Sequence, residues 1–162
     1  MLLWFAGVSF VIVWQVFHDT SIDYRLVVVG AVLPDVVDPI FGGARVLHTM
    51  LGSVVLLTVV MLGTRRRRAA RRRLLAIPIG TFLHLALDGM WTDAHIFWWP
   101  FLGRSFGHAP LPSIHRPLAL LALEEAAGAL ALGWAWARFR LGEPERRGHL
   151  LRTGRLGRDL TS

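Results

Sequence analysis

The chain has 162 residues, of which 54% are hydrophobic; it carries a formal net charge of +7 and contains no cysteine. Disulfides and thiolate metal sites are thereby excluded, so a bound metal would have to use imidazole and carboxylate. The positive charge is confined to arginine groups that join or follow apolar runs, which argues for lipid headgroups as the counter-charge and against nucleic acid.

Five apolar runs follow one another, at 2–17, 26–41, 46–63, 74–91 and 117–137. Each is roughly 16–21 residues, near the ~20 that a helix needs to cross ~30 Å of hydrocarbon. The first has no basic residue before Arg25 and no small-x-small cleavage site after it, so it reads as a retained helix and not a leader. The tryptophan-rich stretch from Trp91 to Phe101 reads as an interfacial segment. The fold expected from this pattern is all-α: a polytopic transmembrane helix bundle of about five membrane helices plus that short interfacial segment. Residues 1–141 would form the membrane domain and 142–162 a basic cytoplasmic tail, mobile or lipid-bound.

Charge supplies an orientation. Arg65 to Arg68 and Arg71 to Arg73 join the third and fourth runs, and a second arginine group extends from Arg138 to Arg158. With both groups cytoplasmic, as in an inner-membrane protein, the N-terminus lies outside, and only Arg45, Arg104 and Arg116 of the 18 basic residues face outward. The helical rise then puts His48 roughly 26 Å from Arg65 and Asp88 roughly 22 Å from Arg73. Asp35, Asp38 and His84 fall in the same outer half.

Those five residues are the candidate metal ligands: Asp35, Asp38, His48, His84 and Asp88. His84 and Asp88 are four apart and share a helix face, the spacing by which one helix offers two ligands to one ion. An ion pair between them is the alternative. Asp35 and Asp38 are three apart, and two carboxylates that close repel unless a cation or proton neutralises them. A wet interfacial turn is the alternative there. His48 opens its helix and gains weight from lying level with the others. Asp38 or Asp88 would serve as general base. Arg45, Arg104 and Arg116 could hold a phosphate by paired hydrogen bonds. His18 is a reserve ligand, Asp93 is expected to cap a helix, and Glu124 or Glu125 could orient a liganding histidine.

Pro34-Asp35-x-x-Asp38, Arg45-x-x-His48-Thr49, His84-x-x-x-Asp88-x-x-Trp91 and Trp99-Pro100-Phe101-x-Gly103 together resemble the membrane-bound metal-dependent hydrolases of bacteria and archaea. The resemblance covers roughly residues 26–103 and implies a metal site on the same five residues. Many members carry a histidine at the start of the first helix and another ahead of His48, and this chain has neither, so fewer ligands remain. The expected function is an integral membrane hydrolase using a divalent ion, zinc first and manganese or magnesium as alternatives. Its site would face outward, acting on a phosphoester or lipid-like small molecule, with membrane lipids as partners. An ion- or proton-translocating protein, or a non-catalytic structural membrane protein, is the alternative. Oligomeric state is not legible.

Overall fold

The computed structural model describes residues 1–42, 45–103 and 116–157. The helices are α1 (Leu2–Phe17), α2 (Tyr24–Val37), α3 (Met50–Gly63), α4 (Arg68–Leu74), α5 (Ala76–Leu87), α6 (Ala94–Phe97), α7 (Leu118–Arg138) and α8 (Pro144–Thr153). Short 3₁₀ turns occupy Asp38–Phe41, Val46–His48 and Met90–Thr92. Among the described residues all regular structure is helical, as expected.

The number of membrane helices is not as expected. Among the described residues one helix, α7, is long and apolar enough to cross a membrane, instead of about five. The reason is local. The apolar runs pass straight through residues that fold as turns and caps. The second run yields a 14-residue helix that gives way to a 3₁₀ turn at Asp38, and the third opens with a turn before a 14-residue α3. The fourth divides at Leu75 and ends at Leu87, leaving 12 residues in α5. At 1.5 Å per residue, 12 to 16 residues cover roughly 18–24 Å, short of ~30 Å of hydrocarbon.

Polar side chains cap the starts of α2, α3 and α6. Asp23 caps α2 by accepting from the Leu26 N–H, and Thr49 caps α3 by accepting from Gly52. Asp93 accepts from His95 and Ile96 at the start of α6, the capping role expected of it. Such caps satisfy N–H groups that have no partner inside the helix.

Two close helix pairs organise the bundle: α2 with α5, and α1 with α7. Each is closed by small residues. A Cβ at Gly30 would run into the Ile77 backbone, and one at Gly80 into the Val27 and Gly30 backbone. Gly7 and Gly128 perform the same service between α1 and α7. Backbones that approach this closely are held by van der Waals contact over a long seam.

The main apolar core lies at the end where α1 turns into α2. Phe10, Trp14, Tyr24, Val27 and Phe139 are buried there, with Trp14 edge-on to Phe139 at 4.9 Å between ring centroids. Residues 142–157, the described part of the expected tail, pack against the bundle. They form α8 and return to this core, burying Leu156, and their carbonyls at Gly154 and Leu151 accept from Tyr24 N–H and the Arg25 guanidinium. Gly154 is obligatory at that contact: its φ is +76°, and a Cβ would fall on the Asp23 carboxylate.

Candidate metal centre

At the opposite end of α2 and α5, three side chains from three segments meet. The construction begins with Pro34. A proline has no N–H, so the Gly30 carbonyl one turn earlier loses its helical donor. The Thr81 hydroxyl of α5 takes that place, 3.2 Å from the Gly30 oxygen and 3.1 Å from the Ile77 oxygen of its own helix. One residue on, the Ala31 carbonyl lies 2.8 Å from Nδ1 of His84. A carbonyl oxygen only accepts, so His84 Nδ1 carries the proton and Nε2 presents a lone pair.

His48 is oriented in the same manner by a carboxylate. Its Nδ1 lies 2.8 Å from Asp38 Oδ2. That oxygen also accepts the backbone N–H groups of Arg45 at 2.9 Å and His48 at 3.1 Å, while Asp38 Oδ1 accepts from Leu47 at 3.4 Å. Asp38 thus ties the loop between α2 and α3 to the foot of its own turn and leaves His48 Nε2 pointing inward. The hydrogen bond from the distal ring nitrogen to a carboxylate or carbonyl is the usual support of a metal-bound imidazole.

The two Nε2 atoms are 3.4 Å apart, and Asp35 Oδ1 lies 3.6 Å from each of them. Both imidazoles are fully buried and the Asp35 side chain is 14% exposed. Three electron-rich atoms in a buried triangle repel one another unless a proton or cation lies among them. A triangle of these sides has a common point about 2.0 Å from every corner, which matches Zn–N and Zn–O lengths in tetrahedral sites. Among the described residues, Asp35, His48 and His84 could therefore hold a divalent ion. Phe5 closes one side, its ring 4.1 Å from that of His84 between centroids.

The other expected ligands are placed differently. Asp38 supports His48 and is not one of the three converging groups. Asp88 caps α5 and forms an ion pair with Arg116, Oδ1 to Nη2 3.1 Å, and the same Nη2 donates to the Asp88 carbonyl at 2.6 Å. It stands outside the converging group yet interacts electrostatically with Asp35 and His48, and its buried Oδ2 has no hydrogen-bond partner among the described residues. Arg116 extends the network by donating to Glu124 Oε1 at 2.8 Å. Glu125 meets the Met1 amine at 3.3 Å, and among the described residues neither glutamate orients a histidine.

Among the arginines, Arg45 Nε donates to the Phe41 carbonyl at 3.1 Å beside the Asp38 loop, and Arg104 lies outside the described residues. His18 ends α1 at the far end of the bundle, exposed beside Trp14. Ala31, Thr81 and Phe5 escape sequence reasoning altogether. A carbonyl and a phenyl ring carry no chemical signature, and only Pro34 hints at a spare acceptor nearby. No family profile, curated protein or solved structure matches the chain.

Proposed function

We propose that this protein is a metal-dependent hydrolase associated with a membrane, acting on a phosphoester at the lipid–water boundary. The observation that carries the proposal is the triangle of Asp35 Oδ1, His48 Nε2 and His84 Nε2, with sides of 3.4, 3.6 and 3.6 Å. Two histidines and one carboxylate, the three converging ligands among the described residues, match a catalytic kind of ligand set, whereas structural zinc sites are closed by four protein ligands. When bound, a divalent ion would acidify a water toward neutrality and polarise the scissile phosphoryl group. The same ligands suit non-haem iron, so the ion's identity is left to measurement.

The residues have distinct duties in this reading. Asp38 and the Ala31 carbonyl hold the two imidazoles in the tautomer that presents Nε2. Asp88 uses Oδ2, which has no hydrogen-bond partner among the described residues, to accept the proton of the attacking water, and Arg116 keeps that carboxylate in place through Oδ1. The membrane association is supported by α7 and by apolar side chains left on the surface, among them Val16, Val59, Leu62, Leu123 and Leu130.

The test is metal content and turnover together. Protein purified in detergent without chelators should retain about one divalent ion per chain, and the His84→Ala variant should lose it. Wild-type protein should hydrolyse a chromogenic alkyl phosphodiester, with activity removed by chelation and restored by the ion. No retained metal would overturn the proposal. Retained metal without turnover on any phosphoester would overturn the hydrolase and leave a binding site.

A further inference from the structure

A groove of about 450 Å³ runs between α1, α3 and α5, with walls that include Val16, Met50, Ser53, Leu57, Phe82 and Leu83. Its position relates it to the metal centre. Leu83 directly precedes His84, and Met50 lies two residues after His48, so the groove is lined in part by chain neighbours of two of the three ligands. The groove extends to Val16, Leu57 and Pro78, toward the α1–α2 turn. From Met50 to Leu57 the helical rise spans roughly 10 Å. The volume falls within the range of roughly 300–1,000 Å³ that small-molecule sites occupy.

We infer that this groove binds the hydrocarbon chain of the substrate, which is therefore a single-chain amphiphile whose phosphate head lies at Asp35, His48 and His84. The inference rests on the hydrolase reading of that centre and adds the class of substrate. The chemistry of the walls selects the occupant. The groove is apolar apart from Ser53, so a peptide backbone or sugar placed there would leave its polar groups unsatisfied. A hydrocarbon chain has no such groups. Its entrance is open to lipid, because Val16, Val54, Leu57 and Phe82 are all exposed.

Ser53 supplies the second observation. Its side chain is buried, and its hydroxyl has no hydrogen-bond partner among the described residues. It sits one turn along α3 from Met50, the groove residue that follows His48 by two. A hydroxyl there can donate to the oxygen that joins an alkyl chain to phosphate. The groove accordingly orders the ligand as chain, then linking oxygen, then phosphate, from the α1–α2 turn to the ligand triangle.

The experiment uses dodecyl phosphate carrying a photoreactive diazirine in its chain, added to the full-length protein in phosphatidylcholine nanodiscs, with labelled residues located by mass spectrometry. Label should concentrate within 12–17, 50–57 and 78–83 and be displaced by excess unlabelled dodecyl phosphate. Leu57→Trp, which fills the groove, should cut labelling at least tenfold, while Leu130→Trp on α7 should not. Label spread evenly over exposed positions such as Leu123 and Leu130, or unchanged by Leu57→Trp, would overturn the inference and identify ordinary surrounding lipid. Metal content measured on the same samples separates the two proposals. Groove labelling without retained metal keeps the chain site and overturns the hydrolase reading. Retained metal with dispersed label does the reverse.

Discussion

Asp38 holds His48 from beneath: one carboxylate oxygen is 2.8 Å from the imidazole Nδ1 and also accepts the backbone N–H of the same histidine at 3.1 Å. The ring is thereby fixed in both orientation and tautomer. An Asp38→Ala substitution should lower the affinity for a divalent ion 10- to 100-fold, the usual cost of losing such a support. Competition against a fluorescent chelator measures this. An affinity equal to wild type would remove Asp38 from the metal centre.

Asp35→Ala and His84→Ala each remove a corner of the ligand triangle. Both should abolish stoichiometric metal retention while leaving the helical circular dichroism spectrum unchanged. His95→Ala, at exposed α6, should retain the metal as wild type does. Equal losses in all three variants would indicate a non-specific effect on the protein.

Thr81 meets the carbonyl that Pro34 leaves without a helical donor. Thr81→Val keeps the shape and removes the hydroxyl, leaving that carbonyl buried and unsatisfied at a cost of about 1–3 kcal/mol. Thermal unfolding in detergent should show the loss. In the double variant Pro34→Ala/Thr81→Val the alanine N–H can restore the helical bond, so part of the stability should return.

Gly30 and Gly80 allow α2 and α5 to touch backbone to backbone. Gly80→Leu should separate the helices and destabilise the protein by at least about 1–3 kcal/mol, as overpacking does. Because Asp35 lies on α2 and His84 on α5, metal affinity should fall with it. Gly63→Leu, at the end of α3 with open space around it, should change neither property.

Asp23 gives a dependence on pH. Burial alone would raise its pKa, but the hydrogen bonds from Arg25 and Arg73 outweigh burial and hold it below the ordinary aspartate value of 3.8. A carboxyl whose folded pKa is depressed contributes stability that is fully present above the unfolded pKa and lost as pH falls through the folded one. Wild type should therefore be more stable than Asp23→Asn at pH 6. The gap should close progressively below about pH 4, near the unfolded aspartate value. Unfolding temperatures measured across that interval would check the sign.

Much of the centre is legible in the chain itself. Asp35, His48 and His84 stand out because ionisable groups in apolar sequence need a partner or a task. Spacing is a poorer guide for Asp38 and Asp88. The backbone stays right-handed helical through Asp38, but its carboxylate is taken by the N–H groups of Arg45, Leu47 and His48 in the following loop. Asp88 lies four residues past His84, but Arg116 from a distant segment claims it. Depth along presumed membrane spans likewise placed the residues in one layer, although most of those spans are too short to cross.

The order of residues alone determined that this protein is helical, that it lacks thiol chemistry and which ionisable groups are embedded in apolar surroundings. Those properties follow from composition and short-range pattern, which act within a few residues of chain. The tertiary structure decided which groups converge and which merely support. A ligand triangle depends on the separation of α2 and α5, set by Gly30 and Gly80, and on the Ala31 carbonyl of α2 that orients His84. Such distances arise from packing between segments some 50 residues apart, and no local pattern encodes them.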